Sequence, residues 1–305
     1  ARVLSIQSHV VRGYVGNKAA VLPMQVLGVD VDPINSVQFC AHKGYKVCTG
    51  EVLQGEALWQ LVDGLKANGL LDYTHVLTGY IGSESFLRTV IRTLTAVREA
   101  SPGAVYVCDP VLGDHGKLYV PESLVAVYRD DVVPLASVLT PNQFEAELLT
   151  GVQIAGPRGA YAACDVLHSR GVRTVVITST DQVRTEGDER GTIVLYASQA
   201  PAPGAPNADP ERLRLDIPAV PGAYTGTGDL TAALILAWTH RLGDHDLAGA
   251  LERAIATVQS VLQRTHDTVG PGKELQLVQS VGDMLDPDVR LRCRRVDAAA
   301  LEVGP

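Results

Sequence analysis

The sequence predicts a doubly wound α/β fold: a mostly parallel sheet flanked by helices, carrying a small strand lid. Two patterns carry this expectation. Short β-branched runs alternate with longer amphipathic stretches through most of the chain, the signature of repeated βαβ units. Polar clusters rich in Asp, Thr, Ser and Asn follow several of those runs, which is where a parallel sheet of this kind binds ligands.

The elements follow in order. Strands are expected at 2–7, 31–38, 74–78, 104–108, 135–139 and 173–178, and helical segments near 56–67, 84–99, 121–129, 142–149 and 158–170. Segment 39–53, with Gly44, Tyr45, Val47 and Val52, is expected to hold short strands that project from the sheet as a lid. Residues 198–212 contain Pro201, Pro203, Gly204, Pro206 and Pro210 and read as a flexible surface excursion. Helical patterns resume at 227–241, 246–265 and 273–281, and 298–305 reads as a tail. A single domain over 1–297 accounts for a chain of 305 residues with 46% hydrophobic content and no low-complexity linker.

Charge narrows the function classes. A net charge of −8 without any Lys/Arg run argues against nucleic acid or an anionic membrane surface as partner. No apolar run of about eighteen residues occurs, and the first residues enter a strand without a signal-peptide pattern, so a cytoplasmic protein is expected. Five scattered cysteines, odd in number and without a C-x-x-C pair, fit free thiols in a reducing compartment.

The chemistry centres on Gly226-Thr227-Gly228-Asp229, followed at once by the apolar run 230–238. Two glycines before a helix start present bare N–H groups at the positive end of the helix dipole, an anion hole. Asp229 in the first turn places an acid beside that anion, which suggests phosphoryl transfer; an ordinary helix cap is the competing reading. A dinucleotide fingerprint is excluded because position 231 is Thr, and no P-loop pattern occurs.

Further candidates lie at strand ends. Asp109 and Asp114, in Asp109-Pro110-Val111-Leu112-Gly113-Asp114, could share a hydrated Mg²⁺ or form a capped Asp-Pro turn. Gly113, His115, Gly116 and Lys117 read as a mobile loop able to fold over phosphates. Thr140 and Asn142 offer neutral polar groups, and Glu145 is either a third carboxylate at the same edge or half of a capping box with Asn142. Thr178 and Ser179 supply hydroxyls suited to nucleotide, to a monovalent cation, or to a turn. Ser8 could bind a small polar substrate, and Phe39, His42 and Tyr80 offer faces for a flat aromatic ring or are ordinary packed residues.

These blocks together resemble the pyridoxal kinases, within the ribokinase-like fold. The matching stretches are 3–10, 35–39, 76–80, 106–114, 140–149, 175–179 and 226–240, in order and nearly without gaps. The resemblance implies phosphorylation of the 5′-hydroxymethyl group of pyridoxal, pyridoxine or pyridoxamine by ATP with Mg²⁺ or another divalent cation, with K⁺ or Na⁺ assisting. It implies Asp229 as base and Gly226, Thr227 and Gly228 as anion hole. It implies Asp109, Asp114 and Glu145 around metal and phosphates, partly through water; Thr140, Asn142, Thr178, Ser179 and Leu262 around nucleotide or cation, with Thr140 and Thr178 at the monovalent ion; and Ser8, Val15, Phe39, Tyr80 and Asp229 around the vitamin. The family usually forms homodimers. A hydroxymethylpyrimidine or sugar kinase of the same fold, or a non-catalytic vitamin- or nucleotide-binding module, is the alternative.

Two positions depart from the family pattern. Lys43 stands where relatives carry a small hydroxyl residue near the pyridine; it reads either as a solvated lid lysine or as a vitamin contact able to form a Schiff base with an aldehyde. The loop from Asp114 to Tyr119 is shorter than in animal relatives, so a flap that covers ATP less completely is expected.

Overall fold

A computed structural model describes residues 1–180, 191–202 and 208–297. From β1 (Arg2–Val10) the chain passes through α1 (Asn17–Val26) to β2 (Asp30–Phe39) and β3 (Gly50–Val52). α2 (Gly55–Ala67) returns it to β4 (His75–Thr78), and α3 (Glu84–Ala100) to β5 (Val105–Cys108). The hairpin of β6 (Gly113–Asp114) and β7 (Lys117–Leu118), then α4 (Ser123–Val127), precede β8 (Val138–Leu139); α5 (Gln143–Thr150) and α6 (Pro157–Ser169) lead to β9 (Thr174–Ile177). β10 (Thr192–Gln199), β11 (Glu211–Pro218), α7 (Thr227–Leu242), α8 (Leu247–Val269), α9 (Val281–Leu285) and β12 (Arg294–Arg295) complete the order.

Among the described residues one ten-stranded sheet runs β12-β11-β10-β9-β8-β5-β4-β1-β2-β3. The run from β2 to β9 is parallel, with antiparallel additions at both edges: β3 beside β2, and β10 to β12 beyond β9. Strands inside a parallel sheet are buried on both faces, and alternate residues feed two cores. Leu4, Val76 and Tyr106 join the core under α2 to α6; Val3, Leu77 and Val107 join the one under α1, α7 and α8. Each fully buried aliphatic side chain contributes roughly 1.5–3 kcal/mol. α3 illustrates the local logic: Ser83 caps it by accepting from the Phe86 N–H at 3.3 Å, and Phe86, Leu87, Val90, Leu94 and Val97 form its buried stripe.

The chain order reverses between β1 and β4, because β1 leads outward to β2 and β3 before β4 returns to its other side. That switch point opens at the strands' carboxyl ends, where Ser8, Gly79 and Asp109 stand.

Several expectations need correction. β1 continues to Val10, so Ser8 lies within the strand, just past a register shift between Gln7 and Ser8. Residues 198–199 and 211–212 belong to β10 and β11, paired in register from Thr192↔Pro218 to Gln199↔Glu211, while 203–207 lie outside the described residues. The tail 298–305 lies outside them as well. Within 39–53 one strand forms, β3, and it extends the sheet from Phe39↔Gly50 instead of projecting from it. The expected helix at 273–281 is an irregular strap ending in a single 3₁₀ turn, with the helix itself at Val281–Leu285. Leu275 and Leu277 are fully buried, and so pin the strap by alternate residues as an extended segment does. No helix among the described residues is long and apolar enough to cross a membrane.

Candidate active site

The glycine turn before α7 is built by close packing. Gly226 adopts φ +88°, and a Cβ there would lie 1.9 Å from the Tyr14 carbonyl oxygen and 3.5 Å from the Val15 Cα. Only glycine fits both the backbone angle and the space. α7 then runs buried without interruption from Leu230 to Trp238, which fixes its first turn in the second core.

Asp229 in that turn is half-buried. Burial raises its carboxyl to about 6, opposed by a hydrogen bond donated by the Gly16 N–H. Its Oδ1 lies 3.4 Å from where a Cβ of Gly79 would be, and Asp109 Oδ2 lies 3.6 Å from the corresponding point on Gly228. Asp229, the amides of 226–228, Asp109 and the end of β4 therefore meet in one place.

Asp109 is 6% exposed, and burial, then the charges of Glu145 and Asp229, drive its carboxyl well above the usual range. The Val111 N–H donates to it, and Val111 has φ +32°, an unusual backbone angle for a β-branched residue. Strain of that kind gathers at functional sites. Glu145 completes a capping box on α5: Asn142 Oδ1 accepts from the Glu145 N–H at 2.9 Å, and Glu145 Oε2 accepts from the Asn142 N–H at 3.0 Å. Glu145 Oε1 also accepts from Leu112 N at 2.8 Å and Gly113 N at 3.3 Å, tying the hairpin to α5. Burial still leads, and raises the Glu145 carboxyl to about 7.

Among the described residues no three His, Cys, Asp or Glu side chains converge as a metal cluster. Glu145 is occupied by backbone donors, and Asp114 sits on the partly exposed hairpin, its Oδ1 accepting from the His115 N–H at 2.8 Å. The expected mobile loop is this hairpin, pinned further where Asn142 Nδ2 donates to the Gly113 carbonyl at 2.8 Å. The donor set still fits a divalent cation shared with phosphate oxygens, because burial, and for Asp109 also the charges of Glu145 and Asp229, holds these carboxyls high, and a positive ion relieves that.

The remaining candidates divide between two walls. Thr140 and Thr178 close the ends of β8 and β9, where the Thr178 N–H donates to the Pro141 carbonyl at 2.9 Å and the Gln143 N–H to the Ser179 carbonyl at 2.9 Å. Leu262 is half-buried on α8 against the second core. On the other side, Ser8 and Val15 are each 8% exposed, and Phe39 ends β2. Lys43 is exposed yet not merely solvated: its Nζ donates to Tyr80 Oη at 2.6 Å and lies 4.8 Å from that ring's centroid.

Further participants appear only in the folded chain. Ser5, Gln7 and Asn17 form a buried network beside Asp229, in which Ser5 Oγ donates to Asn17 Oδ1 at 2.7 Å and Gln7 Nε2 donates to Ser5 Oγ at 3.0 Å. For Ser5 and Gln7 the signal that the sequence offers is a polar residue inside an otherwise apolar strand; Asn17 stands at the start of α1. Glu274, on the strap, offers none.

A doubly wound sheet with a glycine-turn helix start, an acid of raised pKa in its first turn and paired carboxylates opposite defines an ATP-dependent kinase of the ribokinase-like class. Comparison with known proteins narrows this. The phosphomethylpyrimidine kinase family model matches residues 70–278. A pyridoxal kinase of Arabidopsis thaliana is 50% identical over 302 residues, covering 96% of this chain and 94% of its own. The Homo sapiens pyridoxal kinase is 46% identical over 303 residues, covering 94% and 96%. A solved Leishmania donovani pyridoxal kinase in complex with ADP and pyridoxamine superposes with TM-score 0.88 at 35% identity, covering 97% of this chain and 99% of that one. The chain belongs to the pyridoxal kinase family.

Proposed function

We propose that this chain phosphorylates the 5′-hydroxymethyl group of pyridoxal, pyridoxine and pyridoxamine, taking the γ-phosphoryl group from ATP. The observation that carries the mechanism is the place of half-buried Asp229 in the helix turn that also carries the 226–228 amides, close to Gly79 and with its carboxyl raised to about 6. An acid with a pKa near 6 is ionised at neutral pH and more basic than an ordinary aspartate at about 3.9. It orients the alcohol and accepts its proton late, as the oxygen meets a loose, metaphosphate-like phosphorus. The N–H groups of 226–228 stabilise the charge on the transferred oxygens.

Asp109, with Asp114 and Glu145 partly through water, would hold a divalent cation that neutralises phosphate charge. Thr140, Asn142, Thr178, Ser179 and Leu262 would line the nucleotide, with Thr140 and Thr178 also at a monovalent cation such as K⁺ or Na⁺. Ser8, Val15, Phe39, Lys43 and Tyr80 would surround the vitamin. A homodimer is supported by the exposed valines Val11, Val47 and Val52, at 64%, 61% and 45%, the last of them on the edge strand β3. A cytoplasmic setting is supported by the five free cysteines.

The match to the phosphomethylpyrimidine kinase model favours one second reading, a hydroxymethylpyrimidine kinase. The test presents pyridoxal, hydroxymethylpyrimidine and ribose to the protein with MgATP. Turnover of pyridoxal with the highest kcat/KM is expected; preference for either rival, or saturable binding of pyridoxal without turnover, rejects the assignment.

A further inference from the structure

Glu274 joins three segments that are remote in sequence. Its Oε2 accepts from the Tyr14 N–H at 3.1 Å. Its Oε1 accepts from Tyr45 Oη at 2.7 Å and lies 3.2 Å from His42 Nε2. The Gly44 N–H donates to His42 Nδ1 at 3.1 Å, which leaves Nε2 as the donor toward Glu274. The His42 and Tyr45 rings pack with centroids 4.7 Å apart. Contact with the 13–14 loop is tight: Gly13 has φ +98°, and a Cβ there would lie 2.4 Å from Glu274 Oε2.

Each segment leads to the site. The 13–16 loop carries the Gly16 N–H that donates to Asp229 and the Tyr14 carbonyl against which Gly226 packs. The 42–45 segment carries Lys43, whose Nζ reaches Tyr80 Oη. Glu274 itself is rigidly presented, because Leu275 and Leu277 are fully buried and the Gln276 N–H donates to Thr265 Oγ1 at 3.0 Å. One carboxylate thus holds the lid-like segment and the loop behind the acid in a single arrangement.

We propose that Glu274 is a positioning residue for the phosphoryl transfer, setting the vitamin wall and the Asp229 environment together through Tyr45, His42 and Tyr14. The inference rests on the phosphorylation of pyridoxal proposed for this chain. A residue that only stabilises the fold would affect both walls alike, whereas the Glu274 carboxylate reaches Tyr14, His42 and Tyr45, which lie within two residues of Val15 and Lys43.

The test compares wild type, E274A, E274Q and Y45F, varying pyridoxal at saturating MgATP and MgATP at saturating pyridoxal, with amide hydrogen exchange on the ligand-free proteins. E274A is expected to raise the pyridoxal KM and lower kcat by about tenfold each while the ATP KM stays within about twofold. Exchange at 12–17 and 40–49 is expected to rise together by about tenfold, with the rest of the chain unchanged. E274Q keeps an acceptor for the Tyr14 N–H and can donate to Tyr45 Oη, but its amide faces the His42 Nε2–H donor, so partial recovery is expected, with kcat returning to within about threefold of wild type and the pyridoxal KM staying raised by about threefold or more. Y45F cuts a lid tether and spares the Tyr14 bond, so about threefold in pyridoxal KM with kcat unchanged is expected. Unchanged pyridoxal kinetics in E274A, or exchange that rises across the whole chain with an equal rise in ATP KM, overturns the proposal. If wild type turns over no pyridoxal, the proposed function fails, while the exchange at the two segments still decides whether Glu274 couples them.

Discussion

On one side of Gly79 and Tyr80 stands Asp229, half-buried in the first turn of a buried helix and approached by the Gly16 N–H. On the other stands Lys43, exposed, in an irregular segment held by side-chain contacts to Tyr80 and Glu274. The first wall is fixed by main-chain geometry, which few substitutions can reproduce. The second is fixed by individual side chains, each replaceable at modest cost. Phosphoryl transfer needs the same donors at the same distances for every substrate, whereas the vitamin wall has only to fit one ring, and the two constructions match those demands.

The sharpest way to break this contrast is D229N. Loss of the proton acceptor is expected to lower kcat by ~10²–10⁴-fold, with ATP affinity by calorimetry nearly unchanged. If turnover survives, the backbone wall alone drives the reaction and Asp229 is a cap.

G226A comes next, because the new methyl would meet the Tyr14 carbonyl at 1.9 Å in a backbone conformation that L residues rarely adopt. A loss of roughly 1–3 kcal/mol in chemical denaturation is expected, with kcat falling alongside. G228A meets only Asp109 Oδ2, at 3.6 Å, so its stability should stay within ~0.5 kcal/mol of wild type. Equal destabilisation by both would mean that Gly226 is not specially constrained.

The third test is pH. Activity should fall as pH drops through about 6, where Asp229 takes up its proton. Stability of the ligand-free protein should move the other way. Glu145 is raised from 4.5 to about 7, so the folded state binds a proton that the unfolded state has released. Its contribution is complete below pH 4.5 and is lost as pH rises through about 7. Thermal melts between pH 5 and 8 should show that decline, and MgATP should flatten it. A ligand-free melting curve that rises across this range would count against the buried acid pair.

The smallest effect is expected on the vitamin wall. K43A should change the pyridoxal KM by about threefold and leave kcat within about twofold, since an exposed ammonium on an aromatic face contributes little. A collapse of kcat in K43A would erase the distinction between the walls. A borohydride-stable pyridoxal adduct at Lys43, sought by peptide mapping, would show that this side chain reacts as well as packs.

The same contrast governs how much of the molecule is legible in its sequence. The parallel strands announce themselves because both faces are apolar, as in Val105-Tyr106-Val107-Cys108, and the glycine turn because only glycine permits it. β10 and β11 are harder to see, although Leu213, Leu215 and Ile217 alternate with Arg212, Arg214 and Asp216 in the plain period of an edge hairpin. The prolines of 201–210 pull the reading of that stretch toward a loop. Glu145 shows a different limit. Asn142 and Glu145 at capping-box spacing suit both a cap and a metal ligand, and only the geometry assigns the Glu145 oxygens to Asn142, Leu112 and Gly113. Glu274 is invisible at that level, since spacing along the chain says nothing about contacts with Tyr14 and Tyr45 across the fold.

The chain has two tryptophans. Trp59 lies on α2 beneath the Arg92 guanidinium, 3.3 Å from its ring centroid, while Trp238 is 6% exposed on α7 between Arg241 and Arg253 at 5.0 and 5.6 Å. Replacing Trp59 by Phe would leave a single indole emitter, on α7, the helix proposed to hold the phosphate at its first turn. The protein thus carries an optical reporter of the helix that begins at the Gly226 turn, readable by fluorescence lifetime without any attached dye.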